Sequence, residues 1–227
     1  MRLLKLLLIL FMCAAAAPAV AGLYEDARVA TDKGDYATAL TLWRSLADQG
    51  DPRGQNNLGV MYAKGWGVPQ DYAAAVSWYR KAADQGIAVA QNSLGLMYAN
   101  GRGVPQDYAA AVSWYRKAAD QGNASAQFSL GVMYANGQGV PQDYAAAASW
   151  YRKAAEQGNA NGQFFLGSMY AMGQGVPQDY VQAHMWFNLA AAKGDADKIK
   201  IRELTAAQMT PARITEAQKL ARDWKPK

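Results

Sequence analysis

The chain is 227 residues long, 51% hydrophobic and 18% charged, so it can bury a core and is not a disordered chain. A formal net charge of +5, carried in short runs of mixed sign without a basic or acidic tail, is too weak to point to nucleic acid. With one cysteine, Cys13, and one histidine, His184, the sequence lacks the residues for a cysteine- or histidine-based metal centre or a catalytic triad.

Residues 1–21 read as a secretory signal peptide. Arg2 and Lys5 give a positive start, an apolar run follows from Leu6 to Ala17, and Pro18-Ala19-Val20-Ala21 ends in an A-x-A cleavage pattern. The run is shorter than the roughly 20 residues that span a bilayer. Cleavage before Gly22 is therefore expected, with a retained anchor as the alternative. Cys13 lies inside this segment behind Met12, where a lipoprotein signal carries a small residue, so lipidation is not expected. The mature chain then has no thiol, which suits an oxidising compartment and leaves the fold without a disulfide. Losing Arg2 and Lys5 lowers the formal charge from +5 to +3. The expected location is the periplasm, with secretion as the alternative and no stable membrane insertion after cleavage.

Residues 22–51 read as a degenerate or tetratricopeptide-like helix pair. Tyr36, Ala39 and Trp43 mimic the second helix of the units that follow, but Trp43 and Trp78 stand 35 residues apart. Strict repetition then begins, in units at 52–86, 87–122, 123–158 and 159–194. Trp78, Trp114, Trp150 and Trp186 recur every 36 residues, as do the Leu-Gly pairs at 58, 94, 130 and 166 and the Met-Tyr pairs at 61, 97, 133 and 169. Gly-Val-Pro-Gln-Asp-Tyr occurs four times, starting at Gly67, Gly103, Gly139 and Gly175.

Each unit reads as two helices. The first, helix A, spans about Ala88 to Asn100 in the second unit. Ala90, Leu94, Met97 and Tyr98 form its apolar face, and Gly101 is its left-handed cap. Asp107 is the natural N-cap of helix B, which runs to about Gln121 with Ala110, Trp114 and Ala118 on one face. One such hairpin cannot bury its own apolar faces, so the units must stack. The recurring Trp, Met and Tyr stripes are expected to form the core, with the tryptophans filling the space between units. In the last helix B, Asn188-Leu189 and Ala192 replace the charged Arg80-Lys81 and Asp84 of the first. The apolar stripe this leaves needs a cover. Residues 195–227 supply it as capping helices, at 195–206 and 211–223, the second entered by Thr210-Pro211. The expectation is an all-α solenoid of about twelve helices, arranged as antiparallel pairs in one continuous domain.

The pattern Ala-x3-Leu-Gly-x-Met-Tyr-x2-Gly-x-Gly-Val-x2-Asp, followed by Ala-x3-Trp-x3-Ala-Ala-x2-Gly, resembles the Sel-one-like repeat, a relative of the tetratricopeptide repeat. It covers residues 52–194, and Met185-Trp186-Phe187-Asn188-Leu189 with Met209-Thr210-Pro211 resembles the C-terminal cap of exported bacterial members. The resemblance implies a right-handed superhelical solenoid and a role as a scaffold or adaptor. A disulfide-rich branch of that family carries β-lactam-binding activity. That carry-over fails for a mature chain without cysteine, and a cell-wall-active or β-lactam-binding enzyme stays only a remote alternative.

The internal copies differ most in helix A. Arg53, Asn57, Val60 and Lys64 become Val89, Ser93, Leu96 and Asn100, then Ser125, Ser129, Val132 and Asn136, and finally Asn161, Phe165, Ser168 and Met172. Steps of three and four residues put each set on one helix face. In helical solenoids helix A lines the concave surface, so these residues are the candidate groove for a peptide or protein segment. Drift of exposed positions after duplication is the competing explanation. Asn56, Asn92, Phe128 and Phe164 lie beside the stripe as weaker candidates. Arg80-Lys81, Arg116-Lys117 and Arg152-Lys153 read as a solvated face with carboxylates four residues after each arginine. Trp66, in the first loop, reads as exposed.

No enzyme is expected. His184 takes the place of Val76 and Val112 and reads as a helix residue under the cap; Ser77, Ser113 and Ser149 repeat too regularly for a nucleophile. No cofactor or metal is expected. The expected function is that of a monomeric, non-catalytic scaffold in the bacterial envelope that binds a protein or peptide, or alternatively a secreted factor that contacts a host or foreign surface.

Overall fold

The computed structural model describes residues 22–192 and 194–226; the segment read as a signal peptide, residues 1–21, lies outside them. Twelve helices and no strand are found among the described residues. Helix α1 covers residues 22–32. It is followed by α2 (Tyr36–Asp48), α3 (Pro52–Lys64), α4 (Tyr72–Asp84), α5 (Ala88–Asn100), α6 (Tyr108–Asp120) and α7 (Ala124–Asn136). Then come α8 (Tyr144–Glu156), α9 (Ala160–Met172), α10 (Tyr180–Ala190), α11 (Ala196–Ala206) and α12 (Pro211–Asp223). The contacts gather into two compact units, one ending at Gln106 and the other starting at Asp107. Stacked repeats touch only near neighbours, so such partition is natural to them.

Helix ends are fixed by the residues the repeat prescribes. Asp71, Asp107, Asp143 and Asp179 accept from backbone N–H groups of the following first turn. Gly65, Gly101, Gly137 and Gly173 close the first helices in the left-handed conformation. The second glycine of each Gly-x-Gly has a further role. At Gly139 and Gly175, φ is +70° and +67°, and a Cβ would lie 2.4 Å from the Tyr108 carbonyl oxygen and 2.1 Å from that of Tyr144. The loop therefore lies directly on the start of the preceding second helix, where only glycine fits.

Leu58, Leu94, Leu130 and Leu166 are fully buried. The aromatic filling differs from the sequence expectation. Trp78, Trp114 and Trp150 are only half-buried, and a lysine ammonium sits over each ring at 3.8 to 4.0 Å from the centroid. The deep aromatic is the next residue: Tyr79, Tyr115 and Tyr151 are 2 to 4% exposed. The reason is the glycine of Leu-Gly. A Cβ on Gly59 would stand 2.7 Å from the Tyr79 ring, one on Gly131 2.4 Å from Tyr151, and one on Gly167 2.9 Å from Phe187. Glycine opens a slot in the first helix, and the flat ring fills it. Burial pushes the Tyr79 and Tyr115 hydroxyls up to about 12.

Two polar ladders run beside this core. Gln55, Gln91, Gln127 and Gln163 are buried; the last three donate to the Ala83, Ala119 and Ala155 carbonyls at 3.1, 3.2 and 3.3 Å. Gln85 and Gln157 donate to the Gln55 and Gln127 side-chain oxygens at 2.8 and 2.7 Å. The arginines Arg44, Arg80, Arg116 and Arg152 donate to the hydroxyls of Tyr62, Tyr98, Tyr134 and Tyr170, each 18 residues on. Each of these arginines thus links its second helix to the following first helix.

At the C-terminal end, α11 and α12 pack on α10, where Met185, Trp186 and Phe187 are buried and Trp224 meets Trp186 edge-on at 6.2 Å. His184 is buried there at 3% exposure, and its Nδ1 has no hydrogen-bond partner. Burial, with the nearby Arg202 charge, holds the imidazole below its ordinary pKa. An unfolded chain takes up this proton below about pH 6.5 while the folded chain resists it. Stability contributed by His184 is therefore complete above about pH 6.5 and declines as the pH falls towards the folded pKa. Urea midpoints at pH 7.5 and pH 5 should fall further for the wild type than for His184→Val. An identical drop in both would refute this.

Candidate binding face on the first helices of the repeats

The sixteen stripe residues lie on α3, α5, α7 and α9, and none of them is buried. On α3 and α5, Arg53, Lys64, Val89, Leu96 and Asn100 are exposed, and Asn57, Val60 and Ser93 half-buried. On α7 and α9, Ser125, Asn136, Asn161, Phe165 and Met172 are exposed, and Ser129, Val132 and Ser168 half-buried. The apolar members stand out of the protein: Val89 is 54% exposed, Leu96 43%, Phe165 40% and Met172 58%.

The polar members are less free than their sequence suggests. Asn57 donates to the Arg53 carbonyl, Ser129 to that of Ser125, and Ser168 to that of Phe164, at 2.9 to 3.0 Å. These are back-bonds to the preceding helical turn, the usual recourse of a short polar side chain in a helix. Arg53 is ion-paired to Asp51 at 2.7 Å and lies over the Tyr24 ring. The free contact surface is therefore carried by Val89, Leu96, Phe165, Met172, Lys64 and the exposed amides Asn100, Asn136 and Asn161.

Five stripe residues come together in one place. Val132, Asn136, Phe165, Ser168 and Met172 line a cleft of about 330 Å³, with Ala135, Tyr144, Tyr151, Met169 and Gln174. No charged side chain lines it. Phe165 sits among rings, with centroids 5.4 Å from Tyr151, 5.5 Å from Phe128 and 5.6 Å from Phe164. Phe128 and Phe164, set beside the stripe, thus belong to its aromatic backing. Asn56 and Asn92, at the same position in α3 and α5, are half-buried and hold a side-chain oxygen without a hydrogen-bond partner. Sequence reasoning missed Tyr144, Tyr151 and Gln174, which come from α8 and the loop after α9. The signal was the joint replacement of Ser129 and Asn136 by the bulkier Phe165 and Met172.

Two other surfaces were singled out from the sequence. Trp66 is half-buried, stacked on Tyr36 at 4.8 Å and 9°, and so is a packing residue rather than an exposed anchor. The second helices carry clefts lined by Val76, Ser77, Arg80, Lys81 and Asp84 and by Val112, Ser113, Arg116, Lys117 and Asp120. Their cations are already engaged with Tyr98, Tyr134 and the tryptophans. Among the described residues no group of three or more His, Cys, Asp or Glu converges, and no helix is long and apolar enough to cross a membrane.

A family model for the Sel1 repeat matches residues 22–51, 52–87, 88–123, 124–159 and 160–195, taking in the N-terminal pair as a fifth copy. No curated protein matches the chain. Among solved structures, c5321, a protective antigen of uropathogenic Escherichia coli displaying an SLR fold, is similar at 36% identity and TM-score 0.77. The match covers 94% of this chain and 48% of that one, so this chain spans about half its length. A Sel1 repeat protein from Oxalobacter formigenes is similar at 32% identity and TM-score 0.71, over 82% of this chain and 76% of that one. The immunity protein Pa5087 from Pseudomonas aeruginosa shares the fold at 21% identity and TM-score 0.55, over 91% of this chain and 80% of that one.

Proposed function

Because the chain belongs to the Sel1 repeat family, whose members generally serve as non-catalytic protein-interaction scaffolds, we propose that it is a scaffold of the bacterial envelope that binds a protein segment along the open side of its first helices. The observation that carries this reading is the apolar content of that side. Soluble surfaces can carry scattered apolar residues. Here four of the exposed large apolar residues, Val89, Leu96, Phe165 and Met172, fall on the stripe where the internal copies diverge, and outside it Leu204 and Leu220 lie on the C-terminal helices and Tyr144 on a second helix. The second helices α4, α6 and α8, by contrast, are nearly identical, and their arginines and lysines are engaged in internal contacts.

The same face supports a non-catalytic role. Its residues are amides, hydroxyls, aliphatics, aromatics and the two cations Arg53 and Lys64, without a nucleophile held beside a base. Export rests on the N-terminal segment with its A-x-A ending. Secretion with contact to a foreign surface is the second reading, favoured by the similarity to a protective antigen. Finding the protein in the medium rather than the periplasm after fractionation would decide for it.

The test is capture of partners from envelope extract by the purified protein. Val89→Asp with Leu96→Asp is expected to reduce the captured partner about tenfold or more, with the melting temperature unchanged because both side chains are exposed. Ser77→Asp with Ser113→Asp, on the second helices, is expected to have no effect. Undiminished capture by the first pair would refute the assigned face.

A further inference from the structure

We infer that His184 is an acid-operated latch on the C-terminal cap: its protonation releases α11 and α12 from α10 and uncovers Met185 and Trp186. The loss of stability in acid is then a local opening of the cap rather than a loosening of the whole chain.

The cap is held thinly. Helix α10 buries seven residues, whereas α11 buries Thr205 and α12 buries Ala217 and Ala221. These are small side chains, so the apolar area the cap contributes is modest, and segments of that kind open before the rest of a fold. Met185 and Trp186 pack with Ala221 in one cluster, to which Trp224 adds its ring. Across the interface, Arg202 of α11 donates to the Asn188 side-chain oxygen at 3.2 Å. Arg213 of α12 lies 3.8 Å from Asp179, the N-cap of α10.

His184 stands one turn before Asn188, so it shares the face of α10 on which Arg202 is held. It is 3% exposed, and its Nδ1 is a buried atom without a hydrogen-bond partner. In an imidazolium both ring nitrogens are donors, so Nδ1 would carry a proton with no acceptor, and a buried charge left unpaired is strongly disfavoured. The surrounding charges do not relieve this. Helices α9, α11 and α12 pack on α10. Helix α9 carries no charged side chain and α10 none besides a protonated His184; their tyrosines, Tyr170 and Tyr180, are bonded by Arg152 and Gln178. On α11, Arg202 is the charge that acts on the imidazole, and it repels the proton. Asp197, Lys200 and Glu203 are exposed, and Lys198 pairs with Asp195. On α12, Arg213 is engaged with Asp179 and Lys219 with Asp223, while Glu216 and Arg222 are exposed. The proton is therefore taken up when the cap swings away and the imidazole meets water. Docking is complete above about pH 6.5, where a solvated histidine is neutral, and weakens as the pH falls from there towards the docked pKa.

Hydrogen exchange of the purified protein at pH 7.5 and pH 5.5, with exposure times scaled to the intrinsic rates, reads the opening helix by helix. Carboxylates titrate below this window and lysines above it, so histidine is the side chain that changes charge. Amides of α11 and α12 should lose protection about fivefold at pH 5.5 while those of α7 and α8 keep theirs. In His184→Val, which restores the residue of the first two units, the loss should vanish. In Arg202→Gln, which keeps a donor for Asn188 and removes the charge, it should shrink to about twofold. His184 is the one histidine of the sequence, so its Cε1–H resonance gives a second readout that needs no variant, and it should titrate with a midpoint below about pH 6.5. Unchanged protection of α11 and α12, the same loss in His184→Val, or an equal loss in α7 and α8 would overturn the inference. A wild-type Cε1–H midpoint at or above about pH 6.5 would overturn it too.

Discussion

Replacing Tyr79 with alanine should cost about 3–5 kcal/mol of stability, and replacing the adjacent Trp78 about 1–2 kcal/mol. The larger ring is the lesser loss because of where each sits. Tyr79 is 4% exposed and lies against the bare backbone of Gly59, where a Cβ would come within 2.7 Å of its ring. Two helices define that slot, so truncation leaves a void that neither can close alone. Trp78 is half-buried and spends part of its surface under the Lys81 ammonium, 3.8 Å from the ring centroid. That contact contributes about 0.5–1 kcal/mol at such an exposed site, and the exposed part of the ring contributes little. Urea unfolding of the two variants, followed by circular dichroism, checks the order. A Trp78→Ala loss equal to or greater than that of Tyr79→Ala would contradict the packing described.

The reversal also shows what the sequence could convey. Helical repetition placed both aromatics on the second helix, and a residue step of about 100° lets either of two neighbours face inward. Choosing between them depends on the facing helix, and the information sat in the glycine of Leu-Gly, 20 residues earlier. Its bareness matters only once Tyr79 is known to lie opposite. The buried glutamines were hidden for another reason. Gln55, Gln91, Gln127 and Gln163 recur in every copy, but an amide reads as a surface residue unless its partners are known. The partners of the last three are carbonyls of the preceding second helix, and Gln55 accepts from Gln85. Helix boundaries, by contrast, were legible almost to the residue, because Asp107 and Gly101 act through their own backbone neighbourhood alone.

The candidate face was legible in part. Divergence between copies marked sixteen outward positions, and the structure leaves none of them buried. It could not show that Asn57, Ser129 and Ser168 bond their own helix. Nor could it show that Tyr144 and Tyr151 from a neighbouring helix complete the cleft around Phe165. Both depend on geometry between helices, which a single-helix pattern does not encode.

The second large effect concerns where contact with a partner occurs. A photoreactive phenylalanine analogue is placed, one position at a time, at Val89, Ser125 and Asn161 on the first helices and at Ser77, Ser113 and Ser149 on the second. All six positions are exposed, so insertion leaves the fold intact. Irradiating living cells should give adducts of a discrete higher mass from the first three positions, about tenfold or more above those from the second three, since an interface concentrates its contacts in one patch. Adducts arising only from the second-helix positions, or equally from both sides, would contradict the claim that this protein works through the divergent side of its first helices.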